Sequence, residues 1–106
     1  MMRDGRKYKF GDVIISFVQF LDSFEVKKRP ALVLFEEYGN VVCASITSNP
    51  KMKGIPLTEK EGLAFDSVIK LNYLFTISEK MVNKFLFSVG EDKRKAIREE
   101  LISKIR

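Results

Sequence analysis

Lys27-Lys28-Arg29-Pro30-Ala31-Leu32-Val33-Leu34-Phe35 leads, across Tyr38-Gly39-Asn40, into Val41-Val42-Cys43-Ala44-Ser45-Ile46-Thr47-Ser48-Asn49. Two strand-like apolar runs flanking a glycine-centred turn form a hairpin pattern. Three consecutive cations stand at the mouth of the first run. Pro30 opens it, where a missing N–H does least harm. The expected strands are Ala31 to Glu36 and Val41 to Ile46. The outer ends of hairpin strands are neighbours, so Arg29 is expected near Thr47. That sets a permanent cation beside hydroxyl and amide groups, a combination able to hold and attack a phosphodiester. The chain contains no histidine to do that work instead.

Outward from the hairpin, the pattern stays β-rich. Asp12 to Phe17 follows Gly11 and is β-branched, which predicts a first strand. Val18 to Lys28 is polar and charged, with Phe20 and Phe24 as apolar points. It reads either as a mobile loop over a site or as an ordinary surface loop. Ile55 to Leu57 is a short extended piece, Ser67 to Leu71 a further strand, and Lys84 to Val89 the last. Ile77 to Asn83 is expected to make one helical turn. Gly90-Glu91-Asp92 opens a C-terminal helix with acids in its first turn, as the helix dipole favours. Ile97, Leu101 and Ile105 recur on one face of it. Short strands with one terminal helix predict a mainly β fold with some α: a small SH3-like antiparallel barrel closed by a C-terminal helix.

The length of 106 residues fits one domain, 1–106. With 45% apolar and 31% charged residues, the composition is that of an ordinary soluble protein rather than a disordered chain. No apolar run approaches a membrane span and no signal sequence opens the chain, so a cytoplasmic protein is expected. The net charge of +5 favours a polyanionic partner, either nucleic acid or an acidic protein. Cys43 is the only cysteine, which excludes an internal disulfide. Its place inside an apolar run makes it a core residue rather than a nucleophile.

Several segments, in order, resemble PemK/MazF-type toxins. They are Gly11-Asp12-Val13, Lys28-Arg29-Pro30-Ala31-Leu32-Val33-Leu34, Ile46-Thr47-Ser48-Asn49, Gly62-Leu63, Asp66-Ser67-Val68 and Leu74-Phe75-Thr76-Ile77. The resemblance runs from about Gly11 to the C-terminus. It implies an SH3-like barrel that forms a homodimer and cleaves single-stranded RNA with no metal and no other cofactor. It also implies a cognate antitoxin whose acidic tail covers the RNA site. The family's catalytic pair maps onto Arg29 and Thr47.

The chemistry asked of such residues is transesterification. The RNA 2′-OH attacks the adjacent phosphate, leaving a 2′,3′-cyclic phosphate and a 5′-OH end. Arg29 can place its planar charged fork on the phosphate oxygens. Thr47 can donate to the same phosphate or orient the 2′-OH. A guanidinium with a pKa above about 12 is a poor proton carrier, so Arg29 is assigned electrostatic stabilisation. Simpler readings stand beside these: Arg29 as a surface cation flanking a strand, and Thr47 as a strand-end hydroxyl bonding its own backbone. Ser48 and Asn49 are candidate sugar or base contacts, although Asn49-Pro50 is also a turn signal. Lys27 and Lys28 are candidate phosphate holders or a solvated charge run. Phe75 is a candidate stacking face for a base, or a core residue. Some family members carry a carboxylate where this chain has Asn72, and many carry Arg where it has Phe75. Asn72 cannot act as a base, so proton abstraction is left to the 2′-OH geometry, to Arg29, to a different carboxylate such as Asp22 or Glu25, or to water. Two other functions remain in view: a non-catalytic module that binds RNA or DNA gyrase on the same barrel, and a simple dimerisation domain.

Overall fold

The computed structural model describes residues 7–19 and 26–106. Six strands form one sheet: β1 Asp12–Gln19, β2 Val26–Glu37, β3 Asn40–Thr47, β4 Ile55–Leu57, β5 Ser67–Ser78 and β6 Val82–Ser88. One helix, α1 Glu91–Ile105, ends the chain. The spatial order is β4-β5-β3-β2-β1-β6, antiparallel throughout. The sheet curls into a half-barrel with one C-terminal helix, matching the predicted fold class. Register shifts interrupt the β1–β6, β2–β3 and β3–β5 ladders. Such bulges bend a strand and increase its twist, which lets one sheet wrap around a core.

Alternation along the strands gives the sheet two apolar faces. Val13, Leu32, Ala44, Ile46 and Ile69 point to one side, where Ile97 of α1 is buried and Leu101 packs. Ile14, Ala31, Val33, Val41 and Cys43 point to the other. Tyr8, Phe75, Ile77 and Val82 cover that second cluster. Cys43 is fully buried, as expected, and burial pushes its thiol up to about 12.

Four expectations need correction. Lys27 and Lys28 are strand residues, not loop, because pairing across the hairpin carries β1 and β2 out to Gln19↔Val26. Phe20, Asp22, Phe24 and Glu25 lie outside the described residues. β5 runs on past Leu71 to Ser78 because its second half pairs with β3 from Ala44↔Leu74 to Asn40↔Ser78. The expected helical turn at Ile77 to Asn83 shrinks to a 3-10 turn at Glu79–Met81, with both flanks in strands. On the expected helix face, Ile97 and Leu101 reach the core but Ile105, in the last turn, is 78% exposed.

Candidate nucleic-acid cleft

The β2–β3 hairpin has the register Ala31↔Ser45 and Leu32↔Ala44. Ala31↔Ser45 is the outermost pair of that ladder, and Arg29 and Thr47 each lie two residues beyond it. Both line a cleft of about 1160 Å³ at the end of the sheet where β2 begins and β3 finishes. Lys28, Ser48, Asn49 and Phe75 line it too, so six of the seven residues singled out from sequence share one cavity. Lys27 is exposed on β2 and is not among the lining residues.

Local hydrogen bonds position these groups. Ser16, buried on β1, stands opposite Arg29, and its hydroxyl donates to the Arg29 carbonyl at 3.3 Å. The Arg29 backbone is thereby pinned while its side chain stays exposed. Thr47 Oγ1 accepts the Asn49 N–H at 3.2 Å, and Asn49 Oδ1 accepts the Lys51 N–H at 3.0 Å. These are the local turn bonds anticipated for a strand end. Each uses only accepting capacity, so the Thr47 O–H and the Asn49 NH₂ retain their donors for a ligand. Phe75 is half-buried against the second apolar cluster, as a core residue is, and also lines the cleft.

Sequence reasoning missed Lys84, Phe65, Ser45 and Ser67, which also line the cleft. Lys84 arrives from β6 because Ile15 pairs with Pro30 on one side and with Lys84 on the other. Phe65 stands in the loop before β5, 68% exposed, its carbonyl accepting from the Ser67 hydroxyl at 2.9 Å. A methyl group at Gly62 would come within 2.6 Å of the Phe87 ring, so this loop is seated directly on β6. Among the described residues the lining therefore carries three cations, Lys28, Arg29 and Lys84, and no carboxylate. A concave site with one sign of charge concentrates a polyanion.

Asn72 is elsewhere. Residues 71–73 of β5 are skipped between Ser45↔Lys70 and Ala44↔Leu74. Within this chain Asn72 lines a separate pocket of about 480 Å³ with Lys53, Lys70 and Lys104. A carboxylate at this position would not stand in the lining around Arg29 and Thr47.

A curled six-stranded sheet with one terminal helix is the architecture of the MazF toxins. The toxin MazF-mt6 of Mycobacterium tuberculosis is 25% identical over 83% of this chain and 91% of its own, with a TM-score of 0.66. MazF in a MazE–MazF structure from Deinococcus radiodurans is 18% identical over 92% of this chain and 95% of its own, at 0.73. An endoribonuclease from a mycobacterial species, solved with its cognate antitoxin, is 12% identical over 93% and 95%, at 0.68. No curated protein is similar enough in sequence to match. The family model of PemK-like, MazF-like toxins of type II toxin–antitoxin systems matches residues 9–105, and the chain belongs to that family.

Proposed function

We propose that this protein is an endoribonuclease toxin that cuts single-stranded RNA by attack of a 2′-OH on the adjacent phosphate. The observation that carries the reading is the shared cleft of Arg29 and Thr47, lined among the described residues by three cations and no carboxylate. Arg29 stabilises the charge that builds on the phosphorane oxygens, and the Thr47 hydroxyl donates to the same group. Lys28 holds the flanking backbone, and Ser48, Asn49 and Phe75 contact sugar and base. The reaction needs no metal, since the charge it develops is met by side-chain cations. A cognate antitoxin with an acidic segment fits the same cleft by charge, and two similar structures hold a toxin with its antitoxin. The protein acts as a homodimer in the cytoplasm.

Purified protein incubated with mixed-sequence RNA in EDTA should yield fragments ending in 2′,3′-cyclic phosphate and beginning with 5′-OH. Arg29→Ala should abolish cutting while the circular dichroism spectrum is unchanged. RNA left intact across many sequences would sink the proposal.

One observation favours a second reading. Among the described residues no carboxylate lines the cleft to take the 2′-OH proton. A homologue that binds RNA or gyrase without cutting would retain the cations and lack the base. RNA retention without product, or toxicity that depends on gyrase while RNA stays whole, would establish that reading instead.

A further inference from the structure

We propose that the cleft has a second phosphate subsite at Lys84, with Phe65 as the stacking platform for a base beside it, so that it holds an unpaired strand across β1. The inference rests on the nucleic-acid reading of the cleft and extends it to residues on the opposite wall. Three observations carry it. First, the cations come from two different strands. Lys28 and Arg29 come from β2, Lys84 comes from β6, and β1 lies between them. Two inter-strand spacings separate their backbones by on the order of 10 Å, so the positive charge is spread along a path. A polyanion with regularly spaced charges matches that spread better than a single compact anion does. Second, Phe65 is a large apolar side chain left 68% exposed in a cleft whose lining also carries Lys28, Arg29 and Lys84. Core packing does not account for it: Leu63, two residues earlier, is the residue of this loop that enters the core. A flat aromatic face beside cations is the pairing by which proteins hold single-stranded nucleic acid. Third, the loop is built to stay in place. Gly62 seats it against Phe87, and the Ser67 hydroxyl and the Asp66 carboxylate bond the backbone at Phe65 and Glu59.

The consequence is a polarity in the site. The phosphate at Arg29 is the reacting one, and Lys84 grips a neighbouring phosphate that does not react. Lys84 is thus a binding and positioning residue, and Phe65 supplies sequence-tolerant affinity. A double-stranded ligand is disfavoured, because a paired base cannot reach the Phe65 ring.

The test uses a short 2′-O-methyl oligoribonucleotide, which lacks the attacking hydroxyl and so reports binding alone. Its affinity is measured by fluorescence anisotropy at several salt concentrations. Lys84→Ala should lower the log–log salt slope by about 0.7, the value for one phosphate contact on a single strand. Lys84→Arg should restore the slope. Arg29→Ala combined with Lys84→Ala should lower it by about twice as much, as two separate phosphates require. Phe65→Ala should weaken binding by roughly 5- to 100-fold with the slope unchanged, and Phe65→Tyr should bind as the parent does. An unchanged slope in Lys84→Ala, or a double variant no lower than either single one, would overturn the second subsite. Normal binding by Phe65→Ala would overturn the platform. Cleavage of unmodified RNA is scored separately. Cutting by the parent together with Lys84 and Phe65 variants that bind as the parent does removes this inference alone, and the predicted slopes without any cutting remove the nuclease reading alone.

Discussion

The Ser16 hydroxyl donates to the Arg29 carbonyl at 3.3 Å, directly across the β1–β2 ladder. One residue is fully buried and the other lines the cleft. The cation at the site is therefore aimed from beneath by a group that touches no ligand. Ser16→Ala removes that bond, worth about 1 kcal/mol, without leaving a large cavity. The expected result is a melting temperature lower by roughly 4–8 °C. Cleavage should fall several-fold, far less than in Arg29→Ala. Thermal melts beside initial cleavage rates check both.

Thr47 separates into an accepting and a donating function. Its oxygen takes the Asn49 amide at 3.2 Å, a bond that does not use its proton. Thr47→Ser keeps both and should stay within a few-fold of the parent. Thr47→Val keeps the shape and loses both. Where the hydroxyl stabilises a developing oxyanion, that loss costs on the order of 10²–10³ in rate. Single-turnover cleavage distinguishes the two variants. Equal activity in them would remove the hydroxyl from the chemistry.

The hairpin and its cations were legible because local rules govern them: alternation, a glycine turn, and proline at a strand entrance. That was enough to bring Arg29 and Thr47 to one place. The far end of β5 was not legible. Asn72 and Tyr73 look like the close of a strand, and only the β3 ladder carries the strand past them. Lys84 was missed for a related reason. Its neighbour Ile15 is remote in sequence, and nothing near Lys84 records that β6 closes onto β1. Phe65 was passed over because an apolar residue between Ala64 and Asp66 resembles ordinary core, and exposure is a tertiary property.

Gly62 has φ 130°, and a side chain there would meet the Phe87 ring. Gly62→Ala meets both penalties, backbone strain and a clash with a half-buried aromatic. A loss of about 1–3 kcal/mol is expected, read as a lowered urea midpoint at constant slope. Because the same loop carries Phe65, oligonucleotide affinity should fall together with stability.

Glu36 is buried, and one of its oxygens accepts the backbone N–H groups of Lys7 and Tyr8 at 3.1 and 3.0 Å. It ties this segment over the apolar cluster around Val33 and Val41. Glu36→Leu should release the tie and speed tryptic cleavage at Lys7 and Lys9. Glu36→Gln keeps an accepting oxygen and should resist trypsin as the parent does. Glu36 also affects Tyr8, whose phenol is raised by burial first and then by the charges of Glu36, Glu79 and Asp12. Removing one of those charges in Glu36→Gln should lower the Tyr8 titration, followed by phenolate absorbance.

Cys43 gives the fold a defined alkaline limit. Burial raises its thiol from 9.0 to about 12, because a thiolate there would lose its hydration. In the unfolded chain the thiol ionises near its ordinary value. Between those two values the folded protein holds a proton that the unfolded chain has released. Stability from this group is therefore complete below pH 9 and falls as pH rises towards 12. Tyr8, also raised, acts in the same direction. Urea midpoints should decline steadily above pH 9. Cys43→Ala removes one titrating group and leaves Tyr8 in place, so its decline should be shallower. At mildly alkaline pH a thiol reagent should label the parent only after urea is added. Rapid labelling of the folded protein, or parallel declines in the parent and Cys43→Ala, would show that Cys43 is hydrated and that its burial does not set the limit.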